Sequence, residues 1–370
     1  MRALVLLAGF FLVSMNAFSS ETWGPLVAPG DPRIAWAGRI DFSAPEAAVF
    51  DWAQTGFSLR FSGDALQLVL DPGDNNLDLR IDGELKAIIG PLPRDKNLPN
   101  IKLWMLPEST GPRVWSLSGL KNGAHAFTLA KRTGANFGPA RFYGLRLDKN
   151  GKLEKPSAPL KRRLEFIGDS LPNGYGCAGA AKVCAELRPF ENSGRSYAAL
   201  CGAELSAEIQ VLALSGFGVV RNYGDKEKRS KDPLPFYYGR TLQGNPGSLW
   251  DRSKFKPDAV ILFLGSNDYS TEPNPDPKEF YHGFDGLVDQ AMKDRKGTPL
   301  FVVNLRGRKV QETAVQEAFQ RTKARGLDVT LVTFENAEDH EFGCDWHPKA
   351  VVHERWAKTL EAALKSKLGW

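Results

Sequence analysis

The sequence predicts two domains of different class: an all-β sandwich or jelly roll over residues 21–150, then an α/β domain with a parallel sheet over residues 161–370. Two patterns and one boundary support this. The first part alternates apolar and polar residues in short bursts divided by turn residues, as many short half-buried strands do. The second carries continuous apolar runs separated by longer helix-like stretches, as a parallel sheet covered on both faces does. Between them, residues 151–160 are polar and proline-bearing and read as a short semi-rigid linker.

The elements follow in chain order. Met1-Arg2 precedes an apolar run from Ala3 to Val13, with small residues at Ala17, Ser19 and Ser20. A short basic start, an apolar core and a small-residue exit predict a secretory signal over residues 1–19 and an exported protein, periplasmic or extracellular. A membrane anchor would need roughly 20 apolar residues, and Ser14 and Asn16 interrupt the run. Strands are expected at 57–61, 66–70 and 77–81, the last running into Asp82-Gly83, a strong hairpin signal. Further strands are expected at 114–117 and 126–130, flanking the turn at Asn122-Gly123, and at 142–147. Beyond the linker, apolar runs at 163–167, 209–214, 259–264, 300–305 and 328–334 predict parallel strands. Helices are expected at 194–207, 277–295, 311–325 and 348–367.

Composition narrows the function. The chain is 42% hydrophobic and 25% charged, enough to build real cores with a wet surface. A net charge of +5 is mild for 370 residues, and the basic residues are scattered, so no nucleic-acid partner and no membrane association are expected. The four cysteines admit three pairings in an oxidising compartment. Cys177 and Cys184 share a small-residue loop and are the expected pair, which leaves Cys201 with Cys344. No Cys/His cluster has zinc-ligand spacing, and no metal or other cofactor is implied.

Three segments carry chemistry. Gly168-Asp169-Ser170-Leu171 directly follows the first apolar strand of the α/β part. A serine hydroxyl becomes a nucleophile when a base takes its proton. A Gly-Asp before it permits a tight strand-to-helix turn that presents the serine amide to a ligand. The same tripeptide is also an ordinary helix cap, so Ser170 is not specific alone. Asn267 stands at a second strand end, where its amide can donate to a developing oxyanion, and Gly216, after Ser215, can supply a backbone N–H to the same place. His347 is the base candidate. It has a near carboxylate, Asp345, and a Pro348 expected to open the next helix. The other histidines fall in the β region (His125), on helices (His282, His353) or in a polar loop (His340). Trp346, between Asp345 and His347, offers either a sugar-stacking face or a packed pin for the loop.

Phe166-Ile167-Gly168-Asp169-Ser170-Leu171 together with Gly216, Asn267 and His347 resembles the four blocks of the GDSL/SGNH hydrolase superfamily. A closer resemblance is to carbohydrate esterase family 2, the acetyl xylan esterase-like branch. It rests on Gly174-Tyr175-Gly176, Ser196–Leu200, Ala213–Gly216 with Val220–Gly224, and Asp345–Pro348. It extends into the N-terminal half through Gly38–Phe42, Ile81–Glu84 and Leu129–Thr133. The resemblance implies a jelly-roll domain followed by a flavodoxin-like three-layer SGNH domain. It implies Ser170 as nucleophile, His347 as base, Asp345 as its orienter, and the Ser170 and Gly216 amides with Asn267 as the oxyanion hole. The superfamily at large spaces its last pair Asp-x-x-His, where this chain has Cys344. That leaves open a Ser170/His347 dyad oriented by a backbone carbonyl or another acid.

The expected function is a secreted serine esterase, acting as a monomer, that removes O-acetyl groups from xylan- or glucomannan-type polysaccharide through an acetyl-Ser170 intermediate. Two alternatives stand beside it: a short-chain lipid, thioester or peptidoglycan O-acetyl hydrolase on the same fold, and a non-catalytic carbohydrate-binding protein.

Overall fold

A computed structural model describes residues 23–91 and 111–370. The expected signal at 1–19 lies outside the described residues. The N-terminal domain is built from β1 (Ala35–Ala37), β2 (Ala48–Phe50), β3 (Gly56–Gly63), β4 (Leu66–Asp71), β5 (Leu77–Ile81), β6 (Glu84–Ile89), β7 (Arg113–Leu117), β8 (Gly123–Lys131), β9 (Ala140–Leu147) and β10 (Lys152–Leu153). They form two antiparallel sheets, ordered β1-β3-β8-β5-β6 and β2-β9-β4-β7, with β10 paired to β3.

Alternation explains the core. On β3, Phe57, Leu59 and Phe61 point inward, and on β8 Phe127 and Leu129 do the same from the facing register. With Leu66, Leu68 and Leu70 of β4 and Phe142 and Leu145 of β9 they fill the space between the sheets. Asp82 and Gly83, both at positive φ, turn β5 into β6 with Ile81 opposite Glu84, the two-residue hairpin expected from their identity. Two of the unpredicted strands, β1 and β2, have only three residues, too few for a period to register. The segment read as a linker opens with β10, whose Leu153 lies opposite Phe61.

The second domain contains β11 (Arg162–Gly168), α1 (Tyr197–Glu204), β12 (Ala207–Ala213), β13 (Ala259–Phe263), α2 (Pro277–Met292), β14 (Leu300–Leu305), α3 (Lys309–Ala324), β15 (Val329–Phe334) and α4 (Ala350–Leu368). Its strands are all parallel in the order β12-β11-β13-β14-β15. Successive side chains alternate between two cores. Ile167, Leu212, Leu262 and Val302 meet Phe280, Phe284 and Leu287 of α2 and Val315 of α3. Phe166, Val211, Phe263 and Val303 meet Tyr197 of α1 and Val352, Trp356 and Leu360 of α4. This is the three-layer arrangement expected. No helix among the described residues is long and apolar enough to cross a membrane.

The domains share a polar, buried interface. Arg39 is buried and donates to the carbonyls of Tyr238 and Arg240. Trp52 donates to Thr241 O at 2.9 Å. Lys131 gives its ammonium protons to Thr133 O and Gly134 O, while Glu191 of the second domain accepts from Gly134 N at 2.6 Å. Burial pushes Lys131 down to about 7 and Asp51 and Glu191 up, to about 6 and 7.

Candidate active site

In a parallel sheet of this order the chain leaves β11 in one direction and returns across it to β13, so a crevice opens beyond the carboxyl ends of β11 and β13. Ser170 lies two residues past β11 and Asn267 four past β13. Gly216 lies three past β12, and His347 lies between β15 and α4. All four belong to the carboxyl edge.

Ser170 does not open a helix as its tripeptide suggested. The chain instead passes through tight turns closed by Gly174 N to Leu171 O and Tyr175 N to Ser170 O, both 3.1 Å. Pro172 and the positive φ of Gly174 and Gly176 prevent a helix there. Neither the Ser170 N–H nor the Gly216 N–H has a protein acceptor among the described residues. Gly216 sits at φ +88°, where a side chain is strongly disfavoured.

His347 is joined to Ser170: Nε2 lies 2.8 Å from Ser170 Oγ, and Nδ1 lies 2.7 Å from the backbone oxygen of Asp345. A carbonyl can only accept, so Nδ1 carries the proton and Nε2 is left to accept from the hydroxyl. Burial lowers the His347 pKa below its ordinary 6.5, against the raising effect of the Asp345 carbonyl and charge. The ring is therefore neutral at pH 7 and able to take the serine proton.

Of the two arrangements left open for Asp345, this geometry has its backbone carbonyl, and not its carboxylate, against the ring. The Asp345 carboxylate is exposed and accepts from Tyr175 OH at 2.9 Å. Two residues of spacing place its carbonyl, not its side chain, against the ring. Asp345 and Trp346 both adopt positive φ (52° and 57°), which turns that carbonyl inward. Such backbone costs about 1–3 kcal/mol per residue and persists only where surroundings enforce it.

Those surroundings include the disulfide, whose expected pairing is corrected. Cys184 pairs with Cys344, and Cys177 and Cys201 are free and buried. Nearness in sequence misled: Cys177 turns inward to Asn192 O at 3.5 Å, while the chain carries Cys184 across to the histidine loop. Glycines do the rest. A Cβ on Gly176 would lie 2.1 Å from Cys344 O and one on Gly179 2.6 Å from Cys344 N, so only glycine permits this approach. Gly343 N donates to His347 O at 2.7 Å and closes the loop. Trp346 stays 58% exposed with Lys182 Nζ 4.4 Å from its ring centroid, so it is a surface platform rather than a packed pin.

The Asn267 amide donates to Phe217 O at 2.9 Å and to Asp169 Oδ2 at 3.3 Å, linking the Gly216 loop to the Ser170 turn. Burial pushes Asp169 up to about 7. Asp268, also buried and raised, accepts from the amides of Val219, Val220 and Arg221. Sequence reasoning assigned no role to Asp169, Asp268 or Tyr175. The Asp-Ser and Asn-Asp pairings were the available signal for the two carboxylates. Among the described residues no cluster of three His, Cys, Asp or Glu side chains is placed to hold a metal ion.

Comparison with known proteins places the chain in a family. Residues 36–156 match the carbohydrate esterase 2 N-terminal model and residues 166–357 the GDSL-like lipase/acylhydrolase family model. The cellulase/esterase CelE of Acetivibrio thermocellus is 32% identical over 92% of this chain, which spans 40% of that longer protein. An acetylxylan esterase / glucomannan deacetylase of Cellvibrio japonicus is 27% identical over 100% of this chain and 99% of its own length. A solved family two carbohydrate esterase from Clostridium thermocellum, in complex with cellohexaose, superposes with a TM-score of 0.81 at 30% identity, covering 91% of this chain and 99% of that one. With both domain models in sequence and a full-length structural match, the chain belongs to carbohydrate esterase family 2, with a GDSL-like hydrolase domain, and is an esterase.

Proposed function

We infer that this esterase removes O-acetyl groups from plant-type polysaccharide, xylan or glucomannan, through an acetyl-Ser170 intermediate. The observation that carries the mechanism is the 2.8 Å contact between a neutral His347 Nε2 and Ser170 Oγ, with the other ring nitrogen tied to a carbonyl. The substrate class is supported by the relative named acetylxylan esterase / glucomannan deacetylase, aligned along its whole length.

Ser170 Oγ attacks the acetyl carbonyl as its proton passes to His347 Nε2. The oxyanion takes hydrogen bonds from the free Ser170 and Gly216 amides and from Asn267, whose longer contact to Asp169 yields to the stronger acceptor. Collapse breaks the bond to the sugar oxygen, which leaves with the proton from His347. Water then gives a proton to His347 and attacks the acetyl group, releasing acetate and restoring Ser170. Trp346 offers its exposed face to the apolar face of a sugar ring. The similar Clostridium thermocellum esterase was solved in complex with cellohexaose, a glucan whose rings have apolar faces of the kind an exposed tryptophan takes. The Cys184–Cys344 disulfide fits an oxidising, extracytoplasmic location.

The test is acetate release from acetylated xylan, glucomannan and peptidoglycan, beside an aryl acetate and an aryl butyrate. Ser170→Ala should abolish hydrolysis while the fold is kept. Equal activity in that variant would overturn the assignment. Faster turnover of butyrate than acetate would favour a lipid or thioester substrate instead.

A further inference from the structure

The oxyanion side of the site is touched from the other domain. Asn136, in the short turn Ala135–Phe137 that follows β8, reaches Ser215 at the end of β12. Its Nδ2 donates to Ser215 O at 3.0 Å and its Oδ1 accepts from Ser215 N at 2.9 Å. One side-chain amide thus makes both bonds that a neighbouring strand would make. It does so at the residue where β12 has run out of strand partners.

The consequence lies in the peptide that follows. Ser215 C=O and Gly216 N–H belong to one planar trans unit, so they point in opposite directions and neither can turn without the other. Asn136 holds the carbonyl and thereby aims the N–H. Accepting a hydrogen bond at the oxygen also polarises the unit and makes its N–H a better donor. Other contacts hold the neighbourhood: Asn173 Nδ2 donates to Ser215 Oγ at 3.1 Å, and Tyr223 N donates to Gly216 O at 2.8 Å. Among the described residues, Asn136 is the one side chain that grips the Ser215 carbonyl.

The turn carrying Asn136 is itself built into the interface. Ala135 is buried, Lys131 holds Thr133 O and Gly134 O, and Glu191 holds Gly134 N. The Asn75 amide fixes the far end through Gly138 O at 3.1 Å. The β domain therefore brings a side-chain amide from a braced turn to the exposed edge of the catalytic domain.

We propose that Asn136 is a positioning residue for the esterase reaction, presenting the Gly216 N–H to the oxyanion, and that the β domain contributes to the chemical step through it. The proposal rests on the esterase reading above and goes beyond it by giving the N-terminal domain a role in kcat rather than in sugar binding.

Asn136→Ala and Asn136→Asp are compared with wild type on an aryl acetate, which lacks the polysaccharide. The Asp variant keeps the acceptor for Ser215 N–H and replaces the donor by a group that repels Ser215 O. It also matches asparagine in shape, so it reports even where the Ala variant loses folding. Both variants should lose kcat by about tenfold or more, a part of what deleting an oxyanion donor outright removes. KM should stay within about twofold, since the lost interaction belongs to the transition state. Phosphonylation of Ser170 by an alkyl fluorophosphonate should slow in proportion to kcat. Wild-type kcat in folded Asn136→Asp would overturn the proposal, as would a defect confined to KM on polysaccharide. A wild-type protein that neither hydrolyses the aryl acetate nor labels at Ser170 would overturn the esterase reading, and the role of Asn136 with it.

Discussion

Ser170, Gly216 and Asn267 stand on strand ends packed against buried groups, whereas His347 stands on a surface loop between β15 and α4 with exposed Asp345 and Trp346 just before it. The two halves of the centre are held by different physics. On the serine side, two buried carboxylates organise backbone amides: Asp169 accepts from Leu171 N, and Asp268 from three consecutive amides of the Gly216 loop. On the histidine side, a disulfide, close glycine contacts and two left-handed residues fix one carbonyl against Nδ1. Buried hydrogen bonds are tightened by the low dielectric around them. An exposed loop has no such help and needs covalent and steric restraint.

The largest test breaks the comparison at its centre. His347→Ala removes the base and should lower kcat on an aryl acetate by about 10⁴-fold or more, leaving the residual rate of an oxyanion hole without a nucleophile-activating group. The oxyanion side should survive this change. Asn267 stays bonded to Phe217 O, so a boronic acid's affinity should fall much less than kcat. If kcat fell by less than about a hundredfold, His347 would not be the base that its 2.8 Å contact suggests.

A smaller test separates covalent restraint from packing. Cys184→Ser frees Cys344 while leaving the Gly176 and Gly179 contacts in place. Losing a bridge across 160 residues should cost about 2–4 kcal/mol in denaturant unfolding. It should also lower kcat by about tenfold, through a histidine less often aligned. An unchanged kcat would mean that the glycine contacts alone hold the loop.

The two halves also differ in how far they could be read from sequence. The strands and helices of the second domain were legible because their apolar runs are continuous and their spacing regular. The strand-end positions of Ser170, Gly216 and Asn267 were legible because each closely follows such a run. The histidine loop was half legible. Asp345-Trp346-His347 could be found, but whether Asp345 offers its carboxylate or its carbonyl depends on two positive φ values with no signature in the residue types. The disulfide was misread because sequence distance is a poor proxy for where a turn sends its side chains. Asn136 was invisible: it lies 79 residues before Ser215, in a domain whose pattern announces only strands.

The smallest expected effect is the most diagnostic for the histidine side. Asp345→Asn keeps the backbone carbonyl that accepts from Nδ1 and keeps an oxygen for Tyr175 OH, so kcat at pH 8 should fall by no more than a few-fold. Its effect on the pH profile has a definite sign. Activity requires neutral His347, so kcat/KM rises with pH through the His347 pKa, and burial sets the midpoint of that rise below 6.5 in the wild type. The Asp345 charge raises the pKa of His347, so removing it should move the acid limb to still lower pH. A loss of about a hundredfold or more in kcat would mean that the carboxylate itself orients the ring in the working enzyme, and a limb moved to higher pH would mean that the Asp345 charge does not act on the ring. The small loss identifies a Ser170/His347 dyad whose ring is oriented by a peptide carbonyl, held in place by the fold around it, and the acid-side shift reports the charge beside it.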